Sequence, residues 1–240
     1  MSKKIPTRKF INIMKVSAVI CAYNEEKTIA GVIKQVYQSS IVDEIIIVND
    51  GSTDKTAAII RQLGKEINLK FIDLPENKGK GYAMTTGVEQ STGEIIVFID
   101  ADLSDLHPKH IEKLIIPILN NEADIVLGLP TETIINYSIN PFRSITGQRA
   151  LLKADIIPIL NKIRASRFGA ETLINLFCKA NGKTAKYIAL YGLKHSAKFQ
   201  KTSIIKATRQ FASMGQDIAI TTYENYELVI KSLKTTLKNL

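Results

Sequence analysis

The sequence predicts an α/β fold in which a mostly parallel sheet is flanked by helices and followed by a C-terminal helical appendage. Two observations predict this class. Over the first 130 residues, short runs rich in Val and Ile alternate with helical patterns, which is typical of a parallel sheet covered on both faces. After Pro130, helical patterns dominate and strand signals become sparse. A chain of 240 residues is long enough to bury a core of its own.

The predicted elements follow from local patterns along the chain. Runs of β-branched residues predict strands over 16–22, 45–48, 69–73, 95–99, 125–127 and 187–190. Apolar side chains at helical spacing predict helices over 27–38, 56–63, 110–119, 148–160, 169–180, 203–212 and 223–237. We expect a basic arm over 1–15, one main domain over 16–201 and C-terminal helices over 202–240. The simplest role for these last helices is to pack on the core.

The composition is that of an ordinary globular protein. Hydrophobic residues make up 45% and charged residues 23%, and the mean hydropathy is +0.03, which excludes disordered and collagen-like chains. Cys21 and Cys178 show no metal or redox spacing, so we expect reduced thiols and a cytoplasmic location. No apolar run approaches the roughly 20 residues that span a bilayer, and the basic start does not resemble a secretory signal.

The net charge of +9 is concentrated in one part of the chain. Residues 143–201 hold 12 basic and 2 acidic side chains. This segment indicates either a surface that meets an anionic partner or an ordinary solvated basic face. Nucleic acid is not an expected partner, because the sequence has no helix-turn-helix, zinc-finger or RNP motif. His107 and His110 are not expected to bind zinc, since no further ligands lie at suitable spacing, and we expect both side chains to be partly exposed.

Three polar clusters follow predicted strands of the sheet: Ala22-Tyr23-Asn24-Glu25, Asp50 with its Gly-Ser-Thr turn, and Asp100-Ala101-Asp102. The carboxyl ends of parallel strands form the ligand-binding edge of such folds. Two carboxylates two residues apart can hold Mg²⁺ or Mn²⁺ together with substrate phosphates, although acidic residues here can also cap the next helix. Asp50 either accepts a hydrogen bond from a base or ribose, or shapes the turn. Lys80, in the Asn77-Lys78-Gly79-Lys80-Gly81 loop, can face a phosphate.

Four sequence motifs resemble those of family 2 glycosyltransferases of the GT-A fold. They are Val-Ile-Cys-Ala-Tyr-Asn-Glu-Glu, Ile-Val-Asn-Asp-Gly-Ser-Thr-Asp, Asn-Lys-Gly-Lys-Gly-Tyr-Ala and Phe-Ile-Asp-Ala-Asp-Leu, and they occur in the family's order. The resemblance implies a UDP- or GDP-sugar donor held by Ala22 to Glu25 and by Asp50, with Lys80 near the uridine or diphosphate. It implies that Asp100, Ala101 and Asp102 form the metal-binding DXD motif.

The second half resembles bacterial family 2 members and glucosyl-3-phosphoglycerate synthases in the segments 146–151, 167–172 and 193–195. By this resemblance, residues 16–130 form the nucleotide-sugar half and 131–201 the acceptor half. Glu171 is the acidic residue near the acceptor and acts in catalysis with Asp102, while His195 is a further metal ligand. The resemblance does not decide between inversion and retention of the anomeric centre.

An anionic acceptor is expected, either a polyprenyl phosphate or a small phosphorylated or carboxylated molecule. Arginines of the basic segment, chiefly Arg149 and Arg167 with Arg143 and Arg164, are candidates to clamp it in bidentate fashion. Peripheral contact with the inner face of a membrane and a homodimer both fit the C-terminal helices.

Two alternative functions compete with this interpretation. A sugar-nucleotide pyrophosphorylase would need a Gly-rich loop where Tyr23 to Glu26 lie, so the sequence argues against it. A catalytically silent sugar-nucleotide-binding protein, or a binder that uses the basic segment, is the remaining alternative.

Overall fold

The computed structural model describes residues 14–132, 146–166, 169–195, 215–216 and 219–238. Within these ranges, eight strands form one sheet in the order β3-β2-β1-β4-β7-β6-β8-β5. Their bounds are β1 Val16–Ala22, β2 Glu44–Asp50, β3 Lys70–Leu74, β4 Ile95–Asp100, β5 Leu103–Ser104, β6 Ile125–Glu132, β7 Arg149–Leu152 and β8 Ala185–His195. β1 pairs in parallel with β2 and β4, and β2 with β3. The predicted α/β class with a mostly parallel sheet is confirmed.

Helices cover both faces of the sheet. The bounds are α1 Ile29–Tyr37, α2 Thr56–Leu63, α3 Lys80–Gln90, α4 Pro108–Leu119, α5 Lys153–Ile156, α6 Leu160–Ala165, α7 Ala170–Ala180 and α8 Tyr226–Lys238, with a 3₁₀ turn at Ile157–Ile159 between α5 and α6. The apolar sides of α1, α2 and α4 pack on one face, and those of α3, α6 and α7 pack on the other. The central strands are therefore buried on both sides, which explains their continuous apolar runs.

The prediction of a helix over 148–160 is wrong in its first part. Arg149–Leu152 form strand β7, which runs antiparallel between β4 and β6. A run of four residues is too short for apolar spacing to distinguish helix from strand, and pairing on both edges decides the outcome. Because β7 is antiparallel, its first residue lies beside Phe98, close to the carboxyl end of β4. The residues just before β7 therefore reach the ligand-binding edge of the sheet.

The C-terminal helix α8 contacts the domain through one face and leaves several bulky apolar side chains exposed on the other. Leu228 packs against the core, Ser232 is buried, and the Thr235 hydroxyl donates to the carbonyl of Ala180 at the end of α7. The bulky apolar side chains of the helix, among them Leu233 and Leu237, point to solvent. The predicted helix over 203–212 and most of the predicted basic arm lie outside the described residues.

Two further predictions concern the cysteines and the membrane. Cys21 and Cys178 are both unpaired, as expected. Burial raises the pKa of the Cys178 thiol to about 11, so it stays protonated at neutral pH and serves packing. Among the described helices, none has the length and apolar character needed to cross a bilayer.

Candidate active site

The sheet brings the three predicted polar clusters to one edge. Cys21 pairs with Asp100, and Ala22 pairs with Asn49, so β1, β2 and β4 end at the same level. Ala22 is buried, whereas the Tyr23 side chain is 45% exposed and stands at the rim. The convergence expected from the strand order is therefore present.

Hydrogen bonds join the turn after β1 to the residues that follow β2. The Thr53 amide donates to the Asn24 Oδ1 at 2.8 Å, and the Asn24 amide donates to the Ser52 hydroxyl at 2.9 Å. The Glu25 amide donates to the Thr56 hydroxyl at 2.8 Å. Asn24 has a φ of 57°, a left-handed conformation that asparagine tolerates better than most residues. These bonds hold the two candidate nucleotide-binding turns as one unit.

Asp50 connects the end of β2 to the lysine-bearing loop. Its two carboxylate oxygens accept the amides of Lys78 at 2.8 Å and Gly79 at 2.9 Å, and its exposure is only 4%. Gly51 has a φ of 67°, and a Cβ there would lie 2.3 Å from the Glu76 carbonyl carbon, so the turn requires glycine. Asp50 thus fixes the loop that leads into α3, and its predicted contact with a nucleotide stays a prediction.

Lys80, the first residue of α3, connects two acidic side chains. Its Nζ lies 2.8 Å from the Asp100 Oδ1 and 2.7 Å from the Glu171 Oε1. Burial alone would lower the pKa of Lys80, but the two carboxylates outweigh it and raise the pKa above its usual value. Glu171 is 5% exposed. The Lys80 ammonium group therefore joins the end of β4 to the start of α7, a contact between residues that are distant in sequence.

Residues just before β7 hold the other side of the Asp100 carboxylate. The Gln148 Nε2 donates to the Asp100 Oδ2 at 2.6 Å. The Gln148 Oε1 lies 2.7 Å from the Thr146 hydroxyl, which fixes the orientation of the amide. Gln148 is 1% exposed. Sequence reasoning gave Gln148 and Thr146 no individual role, because their position depends on the strand that was predicted as a helix.

Gly147 lies directly against Asp100. A Cβ at this position would lie 2.1 Å from both carboxylate oxygens. We expect Gly147→Ala to displace the carboxylate from Lys80 and Gln148 and to lower the free energy of unfolding by about 1–3 kcal/mol, the range for overpacking. Chemical denaturation measures this loss.

Gly31→Ala is the matched control for Gly147→Ala. Gly31 lies inside α1, and a Cβ there meets nothing within 4 Å. This variant should keep or raise stability, because alanine favours helix over glycine by up to about 1 kcal/mol. Equal stability of the two variants would contradict the packing of Gly147 on Asp100.

The structure does not support the prediction that Arg149 helps to clamp the acceptor. Its side chain is fully buried. Its guanidinium donates to the carbonyl of Glu171 at 3.0 Å, to the Asn175 Oδ1 at 3.2 Å and to the carbonyl of Thr146. A bidentate contact with an acceptor from solvent is not open to these nitrogens. Arg149 instead ties the start of α7 to the residues that contact Asp100.

The other arginines of the predicted clamp differ in their surroundings. The Arg164 guanidinium pairs with the Glu89 carboxylate at 2.6 Å and lies 4.9 Å from the Tyr82 ring centre, so it is already engaged at the surface. Arg143 and Arg167 lie outside the described residues. The acceptor role of Arg167 stays a prediction.

The predicted metal site involves Asp100, Asp102 and His195 at the end of the neighbouring strand β8. Asp102 follows β4 and is partly exposed. Leu103, the next residue, pairs antiparallel with His195, so the His195 backbone lies across from the DXD motif. Within the described residues, no group of three or more His, Cys, Asp or Glu side chains forms a metal site. The carboxylate oxygens still fit Mg²⁺ or Mn²⁺, whose remaining ligands can come from a diphosphate.

The prediction that the His110 side chain is partly exposed is wrong, because this residue is buried. Its Nδ1 accepts the His107 amide at 3.3 Å, and its Nε2 lies 3.0 Å from the carbonyl of Tyr191. Burial lowers the pKa of this imidazole. Both ring nitrogens of His110 are thus engaged within the protein, and the expectation that the pair does not bind zinc stays a prediction.

The order of the strands and the helices on both faces of the sheet define an α/β protein of the GT-A type. Residues 17–178 match the family described as Glycosyl transferase family 2. The chain therefore belongs to glycosyltransferase family 2.

The chain aligns with curated relatives over only part of their length. It is 39% identical over 88 residues to the poly-beta-1,6-N-acetyl-D-glucosamine synthase of Staphylococcus epidermidis, and this alignment covers 36% of the chain and 21% of that protein. It is 36% identical over 109 residues to the glucosyl-3-phosphoglycerate synthase of Mycolicibacterium smegmatis, and this alignment covers 43% of the chain and 36% of that protein. The alignments thus span well under half of these relatives.

Among solved structures, the glucosyl-3-phosphoglycerate synthase of Mycobacterium tuberculosis in complex with Mn²⁺, UDP and phosphoglyceric acid is similar in fold. The TM-score is 0.71 at 20% sequence identity, and the match covers 90% of this chain and 79% of that one. Another structure of that enzyme holds Mg²⁺ and UDP, with a TM-score of 0.70 at 20% identity over 90% of this chain and 80% of that chain. At this identity the likeness establishes the GT-A fold.

Proposed function

We propose that the chain is a metal-dependent glycosyltransferase that moves a sugar from a nucleoside-diphosphate sugar to an anionic acceptor. The observation that carries the proposal is the placement of Lys80 between Asp100 and Glu171 at the carboxyl edge of the sheet. The Lys80 cation lies between the carboxylates of Asp100 and Glu171, and Asp102 is two residues beyond Asp100. Together these groups supply the charges that a departing diphosphate and an attacking acceptor require.

The donor half consists of the two fastened turns, the lysine loop and the DXD motif. Ala22 to Glu25 and Asp50 line the end of the nucleotide-binding edge, and Lys80 lies where a diphosphate would approach Asp100. Asp100 and Asp102, with His195, are the proposed ligands of Mg²⁺ or Mn²⁺. When bound there, the divalent ion supplies positive charge for the diphosphate leaving group. The UDP and Mn²⁺ in the related M. tuberculosis structure favour a UDP-sugar over a GDP-sugar.

Lys80 also has a role that follows from its contacts. Its Nζ lies 2.8 Å from the Asp100 Oδ1 and balances the charge of that carboxylate. The carboxylates of Asp100 and Glu171 both favour the cationic form of the lysine. A flexible four-carbon side chain that is 35% exposed can turn from Asp100 toward a phosphate without leaving Glu171. We infer that Lys80 keeps the acidic edge charge-balanced before the donor arrives and contacts the diphosphate afterwards.

The acceptor half carries Glu171 and the basic segment. Glu171 stands in the first turn of α7 and faces the same edge through Lys80, so it can orient or deprotonate an acceptor hydroxyl. The 12 basic side chains of residues 143–201 favour an acceptor that bears phosphate or carboxylate. The M. tuberculosis enzyme has been solved with phosphoglyceric acid and with glycerol 3-phosphate, which supports a small phosphorylated acceptor over a polyprenyl phosphate. Cytoplasmic location and peripheral membrane contact stay predictions.

The test is turnover of UDP-glucose with Mn²⁺ against matched acceptors: phosphoglyceric acid, glycerol 3-phosphate, a polyprenyl phosphate and neutral sugars. We expect UDP release that depends on a phosphorylated acceptor and stops with EDTA. Arg167→Ala should raise KM for that acceptor, whereas Arg164→Ala, at an arginine already paired with Glu89, should not. Turnover of neutral sugars alone would overturn the anionic acceptor. Absence of turnover with each of these acceptors, when GDP- and dTDP-sugars are tried as well as UDP-glucose, would favour a silent sugar-nucleotide-binding protein.

A further inference from the structure

The outward face of the C-terminal helix carries a continuous apolar stripe. Its members are Tyr226, Ile230, Leu233 and Leu237 on α8 and Tyr223 in the helical turn over 219–224, and their exposed fractions are 59%, 47%, 57%, 72% and 81%. We call these five side chains the α8 stripe. Their spacing alternates between three and four residues, which is the a/d pattern of a two-helix seam.

The α8 stripe is not a by-product of packing on the domain. The opposite face of the same helix packs on the domain through Leu228 and through the small polar side chains of Ser232 and Thr235. Lys231 donates to the Asn181 Oδ1 at 2.7 Å beyond the end of α7. An amphipathic helix ordinarily turns its bulky apolar side chains to the core. Here both faces are suited to contact, and only one of them packs against the part of the chain that the structure describes.

The exposed area of the α8 stripe fits a specific interface. Large apolar and aromatic side chains each carry on the order of 200 Å², so the stripe exposes roughly 600 Å² on one chain, at the upper limit for a monomer. Two such stripes together would bury roughly 1,200 Å², which reaches the lower range of stable protein interfaces.

We propose that the α8 stripe is a homodimer interface in which two copies of α8 pack antiparallel about a two-fold axis near Ile230. Charge selects this arrangement. Glu227 and Lys234 are exposed on either side of Ile230, and they are placed almost symmetrically about it. An antiparallel pair brings Glu227 beside Lys234 of the second copy, twice, as a two-fold interface requires. A parallel pair would place the Glu227 and Lys234 side chains of the two copies on opposite sides of the seam, where they form no ion pair.

A lipid surface is the other occupant that an apolar stripe can serve, and the charges of this helix disfavour it. Interfacial helices carry lysine and arginine on their polar face and avoid acidic residues near anionic headgroups. Glu224 and Glu227 are exposed in the first part of the stripe. The narrow seam with mixed charge fits a second copy of this chain better.

The test is sedimentation velocity of the full chain over about 1–100 μM, a range that brackets the micromolar affinities of weak dimers. We expect a dimer that Leu233→Lys dissociates by at least roughly tenfold in Kd. Tyr37→Lys is the matched control, because Tyr37 is 55% exposed at the end of α1, and it should leave the dimer intact. Circular dichroism establishes that Leu233→Lys stays folded.

Charge exchange tests the antiparallel register. Glu227→Lys and Lys234→Glu should each weaken the dimer, and the double variant should restore it. Within one helix these residues are separated by about 10 Å of rise, so rescue reports contact between two chains. A chain that stays monomeric at every concentration overturns the proposal, as does a monomer that sediments with phosphatidylglycerol vesicles, because the stripe then serves a lipid surface. A dimer that is insensitive to Leu233→Lys also overturns it.

Discussion

Replacement of Glu171 by glutamine is expected to lower kcat by roughly 10²–10⁴-fold, the contribution typical of a positioned general base. The amide keeps the size of the side chain, which is 5% exposed, but it cannot accept a proton from an acceptor hydroxyl. Donor affinity should stay close to that of the wild type, because Asp100 and Asp102 remain unchanged. Steady-state kinetics with UDP-glucose and calorimetry of donor binding separate the two effects.

Glu89→Gln is the matched control for Glu171→Gln. Glu89 pairs with Arg164 at the surface, with 46% of its side chain exposed, and it lies at the end of α3 outside the acidic edge. It should leave kcat unchanged. If Glu171→Gln keeps wild-type kcat with a phosphorylated acceptor, the nucleophile needs no base and Glu171 only anchors Lys80.

Lys80→Met is expected to impair both donor binding and stability. Lys80 is the cation shared by Asp100 and Glu171, so its removal leaves two close carboxylates without compensation. We expect the free energy of unfolding to fall by about 2 kcal/mol at neutral pH, which lies between the values for exposed and buried pairs. Donor affinity should fall at least roughly tenfold, since a diphosphate would lose a cationic partner.

The pH dependence of the Lys80→Met variant identifies the cause of the loss. The raised pKa of Lys80 keeps its stabilising contribution present below about pH 10, and that contribution is lost only at higher pH. The stability difference between wild type and variant should therefore be the same from pH 7 to about pH 10 and shrink above about pH 10, as the lysine begins to lose its proton in the unfolded chain. A difference that is as large at high pH as at neutral pH would contradict the shared-cation account.

Lys78→Met is the control for Lys80→Met, because Lys78 lies in the same loop but its ammonium group has only weak surface contacts, 3.8 Å from the exposed Glu76 carboxylate and 5.1 Å from the Tyr82 ring centre. It should change stability by no more than about 0.5 kcal/mol. An equal loss in both variants would assign the effect to the loop and not to the ion pairs at Lys80.

The sequence predicts the donor side of the fold well because its signals are local. The runs that form β1, β2 and β4 are continuous and apolar, and the motifs after them lie at strand ends, where topology alone determines that they meet. The helix predicted over 56–63 matches α2 at Thr56–Leu63. These features depend on neighbours within a few residues, so periodicity and turn chemistry are sufficient to find them.

The acceptor side depends on contacts between distant residues, which periodicity does not reveal. Strand β7 exists because β4 and β6 pair with it, and it brings Gly147 and Gln148 to Asp100. The burial of Arg149 follows from the same strand and changes a predicted acceptor ligand into a support for Glu171. The outward direction of the α8 stripe likewise cannot be predicted from the sequence, because apolar spacing shows that a helix has two faces but not which of them contacts the domain.

The most direct test of a metal-dependent donor site is calorimetric titration of UDP-glucose into the full chain with and without Mn²⁺. The wild type should bind only with Mn²⁺, Asp102→Ala should not bind, and Asp105→Ala, a control in the same loop with 57% of its side chain exposed, should bind as the wild type does. Metal-independent binding that survives in Asp102→Ala would contradict the metal site. Failure to bind UDP-, GDP- or dTDP-sugars under any of these conditions would contradict the glycosyltransferase account itself.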